Sequence, residues 1–186
     1  MKFLQGFLLV AFVTVSVGIL SLVAFEKFRQ EPLPVLGSVE PFKLLSADEV
    51  EFSSADLRGK VWIANFFFTS CPGICPLVMG KLMHLRRNFA PEQVEFVSIS
   101  VDPKRDDPSK LRAYSDKILL DRSAWKLLTG SKEDVDDVTS NKFKFATFDD
   151  PGVHTDKVVL IDGELQIRGY YSGTSADDIK LKAPRI

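Results

Sequence analysis

The chain has 186 residues, which suits one ordinary domain with a short appendage. Its 24 basic and 25 acidic residues nearly cancel, and this excludes a typical nucleic-acid-binding protein, which needs a strongly basic face. Hydrophobic residues make up 45% of the chain, so we expect an ordinary core that folds without disulfide support.

The first predicted element is a membrane anchor over residues 1–25. Residues 6–25 form an uncharged apolar run, which as a helix would span about 30 Å, the thickness of a bilayer hydrocarbon core. A cleaved export signal ending at Ala24 is the alternative. The run exceeds the usual signal core of about 7–15 residues, and Leu22 suits a cleavage site poorly. We therefore expect one retained transmembrane helix.

We expect this anchor to lie in a bacterial inner membrane, with the soluble domain facing the periplasm. The first residues lack the Arg- and Ser-rich character of a mitochondrial transit peptide. The basic residues that flank the apolar run do not place the N-terminus inside, because Lys27 and Arg29 after the run outnumber Lys2 before it. Residues 26–40 contain two prolines and little periodicity, which predicts a tether before a domain over residues 41–186.

The domain alternates between strand and helix patterns. Near-continuous apolar runs predict buried strands over residues 61–68 and 94–101. Helices are predicted from Pro76, from Pro108 with Asp107 as its cap, and from Ser131, which with Asp134 resembles a capping box. Residues 157–161 and 166–171 flank Asp162-Gly163 and predict a hairpin, and a last helix is expected near Ser175. This order is the α/β pattern of a thioredoxin-like fold.

The two cysteines lie four positions apart, in Cys71-Pro-Gly-Ile-Cys75, where the first core strand ends and a helix begins. The free N–H groups and dipole of a helix start favour negative charge, so either thiol should ionise readily. Such a pair can form a disulfide, attack and resolve another disulfide, or chelate a soft metal. The alternative is that both are inert buried residues. Their close spacing at a strand–helix junction, with no cysteine elsewhere in the chain, argues against it.

Two histidines are candidates for a third ligand. His84 lies nine residues after Cys75 on the same predicted helix, about 13 Å along its axis, and points away from the apolar face. We interpret it as a surface residue, which leaves a Cys2His2 zinc site without its fourth ligand. His154 lies in a Pro-Gly-containing loop just before a predicted strand, and by itself this position leaves both a ligand and an ordinary loop residue open.

Four blocks of the sequence then resemble one family, the Sco/SenC copper chaperones. They are GKVWIANFFFTSCPGICPLVMGKL, VEFVSISVDPKRDDPSKLRAYSDK, WKLLTG and GVHTDKVVLIDGELQIRGYYSG, in family order over residues 41–182. The resemblance implies a thioredoxin fold on one membrane anchor, with copper held by Cys71, Cys75 and His154. It also implies a role in assembling the binuclear copper centre, CuA, of cytochrome c oxidase, as copper donor or as thiol reductant. One departure is the N-terminal hairpin LLSADEVEF, which lacks the family's usual turn glycine.

The main hypothesis is therefore a metallochaperone for Cu(I) or Cu(II), with the copper-bearing oxidase subunit and the membrane as partners. The alternative is an enzyme, either a membrane-tethered thiol–disulfide oxidoreductase or a thiol peroxidase, that uses Cys71 and Cys75 and does not need His154. A copper or redox sensor is a third class. Asp102, in the turn after the second core strand, is either a partner of the ligands or a simple turn residue before Pro103.

Overall fold

The computed structural model describes residues 2–28, 33–90, 92–144 and 156–175. The chain divides into two compact units, Met1–Leu33 and Pro34–Ile186. The first contains helix α1, Lys2–Phe28. No helix made of described residues has both the length and the apolar character of a bilayer span, so the predicted anchor remains a prediction.

The described strands of the second unit form one mixed sheet. They are β1 (Gly37–Ser38), β2 (Lys43–Ser46), β3 (Glu51–Ser53), β4 (Val61–Phe67), β5 (Val94–Ser100), β6 (Trp125–Thr129), β7 (Lys157–Ile161) and β8 (Gln166–Ser172), in the spatial order β1-β8-β7-β4-β5-β6-β2-β3. Helices α2 (Ile74–Arg86), α3 (Pro108–Lys117) and α4 (Lys132–Asp137) connect them, and a π-helical turn, Val138–Lys142, follows α4. The predicted mixed α/β class is confirmed.

The three central strands place the site. β4, β5 and β6 run parallel, whereas β7 and β2 join them antiparallel on either side. Since parallel strands end at the same edge of a sheet, the segments 68–73, 101–107 and 130–131 gather there. The cysteine segment is the first of these three, and it lies next to the segment that follows β5.

The core explains the near-continuous apolar sequence of β4. From Trp62 to Phe67 every residue of this strand is buried, because helices and loops cover both faces of the sheet. One face packs an aromatic cluster in which Phe143 contacts the rings of Trp62 and Phe66 edge-on. Burying a large side chain of this kind contributes about 1.5–3 kcal/mol, so β4 is a rigid support for the residues that follow it.

Helix α2 begins at Ile74 and not at the predicted Pro76. A proline fits anywhere in the first turn because the N–H groups there have no partner within the helix, so Pro76 marks the turn but not its first residue. Cys75 therefore belongs to the helix itself. The predicted caps of the next helices are confirmed, because Asp107 accepts from the N–H of Lys110 and Ser131 accepts from that of Asp134.

Two further sequence predictions concern the tether before the domain and the helix at its end. Strand β1 lies inside the predicted tether over residues 26–40 and pairs with β8, and a two-residue strand has no periodicity that a sequence pattern can reveal. The helix expected near Ser175 falls outside the described residues.

In the hairpin without the family glycine, β2–β3, Glu49 takes the left-handed backbone conformation with φ 61°, which an L-residue adopts only with strain.

The predicted hairpin around Asp162-Gly163 is confirmed, as β7 and β8. The left-handed residue of its loop is Leu165, at φ 61°, and not the glycine. Gly163 instead permits a close approach, since a Cβ there would lie 3.0 Å from the backbone of Gly59. The carboxylate of Asp162 accepts from the N–H groups of residues 164 and 166 and so fixes the loop.

Candidate metal centre

The two cysteines occupy the junction between β4 and α2 and differ in exposure. Cys71 is half-buried, and its N–H donates to the carbonyl of Phe68 at 3.2 Å. Cys75, in the first turn of α2, is only 1% exposed. Neither takes part in a disulfide. One sulfur is therefore within reach of a partner molecule, and the other lies beneath it.

The helix start stabilises a thiolate at Cys71. The backbone N–H of Cys75 donates to the Sγ of Cys71 at 3.4 Å. Burial by itself raises the pKa of the Cys71 thiol, but hydrogen bonds from the Cys75 side chain and from the N–H groups of residues 73–75 outweigh it and lower that pKa below its ordinary value. The expectation that a thiol at this junction ionises readily is met at Cys71.

Alkylation kinetics test the lowered pKa of the Cys71 thiol. The rate at which iodoacetamide modifies Cys71 should follow its thiolate, so its pH midpoint should lie below that of the same cysteine in denaturant. C75A should raise that midpoint, because it removes the hydrogen bond from the Cys75 thiol. Equal midpoints in folded and denatured chains would contradict the assignment of Cys71 as the thiolate.

Tyr114 of α3 lies behind the cysteines. Its ring packs against Phe67 with the centroids 5.4 Å apart. Burial, followed by the negative charges of Cys75, Cys71 and Asp106, raises the pKa of the Tyr114 hydroxyl to about 12. The phenol therefore stays protonated throughout the physiological range.

Asp106 is a buried carboxylate beside the cysteine segment that the sequence analysis did not identify. Its carboxylate is fully buried and accepts three hydrogen bonds, from the N–H of Thr69 at 2.8 Å, the hydroxyl of Thr69 at 2.5 Å and the hydroxyl of Ser100 at 2.6 Å. Thr69 lies two residues before Cys71, and Ser100 ends β5. The carboxylate therefore joins the cysteine segment to the end of the neighbouring strand.

Asp102, the residue considered in the sequence analysis, has a different environment. Its carboxylate pairs with Arg105, whose side chain is exposed, and its backbone carbonyl accepts from the N–H groups of Arg105 and Asp106 at 3.0 Å. These contacts fit the turn-residue alternative. The sequence DPKRDD offered no signal for choosing Asp106, because burial of one of three carboxylates is a property of the tertiary structure.

The Asp106 interaction predicts a large loss of stability in D106N. The amide keeps the shape of the side chain but presents N–H groups to donors that need an acceptor, so the free energy of unfolding should fall by roughly 2–4 kcal/mol. D102N, four residues earlier, is the matched control and should cost less than about 1 kcal/mol, because its partner is exposed. Urea unfolding of both variants measures this, and equal losses would contradict a special role for Asp106.

The predicted third ligand, His154, lies outside the described residues, whereas its neighbour Asp156 is described. The carboxylate of Asp156 accepts from the hydroxyl of Ser172 at 2.9 Å, and its carbonyl accepts from the N–H of Gly173 at 2.5 Å. Lys81 of α2 donates to the carbonyl of Thr174 at 2.5 Å. The end of β8 thus contacts both the segment that follows His154 and the helix that carries Cys75.

The other histidine of the sequence lies on the helix that carries Cys75, at its opposite end. His84 is exposed and lies in the last turn of α2, as predicted for a surface histidine. Within the described part of the chain, no group of three or more His, Cys, Asp or Glu side chains is arranged to hold a metal ion. The described residues therefore bring together the two predicted sulfur ligands, Cys71 and Cys75.

Comparisons with known proteins agree with this architecture. The family model SCO1/SenC matches residues 34–183. The SCO1 protein homolog of Bacillus subtilis is 30% identical over 156 residues, which are 78% of this chain and 81% of that protein. The solved structure of BsSco, a member of the Sco family of cytochrome c oxidase assembly proteins in which a disulfide switch was identified, has a TM-score of 0.70 and 28% identity and covers 81% of this chain and 96% of its own.

A further solved structure, Arabidopsis thaliana ScoI with copper bound, has a TM-score of 0.59 and 26% identity over 76% of this chain and 90% of its own. The thioredoxin-like fold predicted from the sequence is confirmed by this similarity.

Proposed function

Because the chain belongs to the SCO1/SenC family, we propose that it binds copper through Cys71, Cys75 and His154 and assists assembly of the CuA centre of cytochrome c oxidase. Copper is the cargo in this proposal, and the copper-bearing oxidase subunit is the partner that receives it. The observation that carries the proposal is the pair of cysteines at the start of α2, outside a disulfide and with the pKa of Cys71 lowered.

The donor set suits the cargo. Thiolates and imidazole are the ligands that Cu(I) prefers, and with one further ligand they also hold Cu(II). The lowered pKa of Cys71 favours its thiolate form, so less proton competition has to be overcome when a metal binds. A site with three protein ligands and an open side can release its metal by ligand exchange, whereas a closed four-ligand site resists release.

The described contacts support the participation of His154. Asp156, only two residues further along the chain, is hydrogen-bonded to Gly173, which packs against Val78 of α2. Val78 lies one helical turn after Cys75. These contacts hold Asp156 near the cysteine helix, and only two residues of chain, which span at most about 7 Å, separate it from the proposed ligand.

A thiol–disulfide oxidoreductase is the second candidate, and the asymmetry of the two cysteines favours it. The Cys71 thiolate would attack a disulfide in the target and form a mixed disulfide, releasing one target thiolate. The buried Cys75, as thiolate, would then attack the Cys71 sulfur and release the second target thiolate. The target is reduced by two electrons, and the chain is left with the Cys71–Cys75 disulfide. This reaction does not require His154.

Metal analysis of the full-length chain after anaerobic copper loading tests the carrier proposal. We expect one copper per chain and, in the Cu(II) form, a strong sulfur-to-copper charge-transfer band, since two cysteine sulfurs are ligands. A chain that stays free of copper under these conditions but reduces disulfides would favour the oxidoreductase instead.

We also propose that residues 6–25 anchor the chain in a bacterial inner membrane, with the domain in the periplasm. The support is the length of this uncharged apolar run. The full-length chain should then stay with the membrane fraction after alkaline carbonate washing. A mature N-terminus near Phe25, measured by mass spectrometry, would establish a cleaved signal and contradict the anchor.

A further inference from the structure

We propose that Gly173 is a positioning residue that sets the distance between the cysteine helix α2 and Asp156, which lies two residues after the proposed ligand His154. This inference rests on the proposed copper function and adds to it a residue that binds no copper. Gly173 directly follows β8 and lies between two parts of the chain that are distant in sequence, around Val78 and around Asp156.

The contacts at Gly173 leave no room for a side chain. A Cβ at this position would lie 2.7 and 2.8 Å from the two methyl groups of Val78 and 2.9 Å from the carbonyl oxygen of Asp156. Real Cβ atoms essentially never approach other atoms this closely. Both neighbours are stiff, since Val78 is a buried β-branched side chain and the Asp156 oxygen is backbone. Any larger residue must therefore push the two segments apart.

The surrounding hydrogen bonds connect the turn at Gly173 both to Asp156 and to the cysteine helix. The N–H of Gly173 donates to the Asp156 carbonyl, and the hydroxyl of Ser172 donates to the Asp156 carboxylate. Lys81 holds the same turn to α2 through the carbonyl of Thr174. The segment that follows His154 is thus attached to the glycine turn, and the glycine turn is packed on α2 one helical turn beyond Cys75.

The glycine is required for its size and not for its backbone angle. The φ of Gly173 is not in the left-handed region. Among the described glycines, Gly59 is the one with a left-handed φ. An alanine at position 173 can therefore adopt the same backbone conformation, and its methyl group acts only by displacing its neighbours. A displacement of a few tenths of an ångström matters at a metal site, because metal–ligand distances fall within about 0.2 Å of their usual values.

The test compares G173A with G80A in the purified full-length chain, using Cu(I) in competition with a chromophoric chelator. Gly80 is an exposed residue of the same helix, and a Cβ there meets nothing within 4 Å, so G80A should leave the affinity unchanged. G173A should weaken Cu(I) binding about tenfold, which is the usual effect of residues that orient metal ligands. The reduction potential of the Cys71–Cys75 disulfide should stay similar, because the Asp156 segment on the other side of Gly173 takes no part in sulfur exchange.

A double-mutant cycle with H154A identifies the mechanism. If Gly173 acts through the histidine, G173A should cause no further loss of affinity in the H154A background. An additive loss, or wild-type affinity in G173A, would overturn the inference while leaving the copper function intact. Failure of the wild-type chain to bind Cu(I), or an unchanged affinity in H154A, would instead overturn the proposed function itself.

Two milder variants keep the test decisive if G173A does not fold. S172A removes the hydrogen bond to the Asp156 carboxylate without adding bulk, and it should weaken Cu(I) binding in the same direction by a smaller factor. The pair V78A/G173A removes the methyl groups that the new Cβ would meet and should restore part of the affinity. Wild-type affinity in S172A together with no recovery in V78A/G173A would overturn the inference.

Discussion

Replacing both Cys71 and Cys75 by alanine should reduce copper binding from one ion per chain to none. The two sulfurs are the soft ligands of the proposed site, and a single imidazole in a loop does not retain copper against a competing chelator. The sulfur-to-copper charge-transfer band of the Cu(II) form should disappear together with the metal. Metal analysis and absorption spectroscopy of the same preparation measure both effects.

H84A is the matched control for this experiment, because His84 is an exposed histidine on the helix that carries Cys75. It should bind copper like the wild-type chain. The double cysteine variant should also unfold cooperatively, since Cys71 and Cys75 are small and the packing of β4 and α2 does not depend on a bond between them. Unchanged copper stoichiometry in the double variant would remove the cysteine pair from the metal site.

The sequence predicted the parts of the fold that have strong local patterns. The apolar run of β4 and the cap residues Asp107 and Ser131 were read correctly, because burial on both faces and helix capping each leave a signature within a few residues. The two-residue strand β1 has no such signature. The start of α2 was placed two residues late because a proline is compatible with several positions of a first turn.

The sequence singled out the two cysteines of the candidate site and not the residues that support them. Cys71 and Cys75 stand out because they are the only cysteines and lie at a strand–helix junction. Asp106 and Gly173 do not stand out, since the first is one of several acidic residues in its loop and the second one of 11 glycines. Their importance arises from contacts with Thr69, Ser100 and Val78, and the tertiary fold alone brings these residues together.

Both cysteines are held by contacts with the rest of the domain. The carboxylate of Asp106 fixes the segment before Cys71, and α2 fixes Cys75. Cys71, the more exposed of the two cysteines, has a lowered pKa, so the sulfur that a partner can reach is one that ionises more readily than an ordinary thiol. Such an arrangement suits transfer to a second protein, whether copper or electrons are transferred.

The role of His154 separates the two functions. Imidazole would complete the coordination of copper, but it takes no part in exchange between sulfur atoms. H154A should therefore weaken copper binding by more than about 100-fold, since even residues that only support metal ligands contribute 10–100-fold. The Cys71–Cys75 disulfide should still form and be reduced at a similar potential.

The most direct measurement is the Cu(I) affinity of H154A together with the oxidase activity of cells that carry this variant at limiting copper. A copper carrier predicts a large loss of affinity, loss of oxidase activity and partial rescue by added copper. If H154A supports normal oxidase assembly at limiting copper, the chain acts mainly as a thiol reductant and the proposal of copper delivery is contradicted.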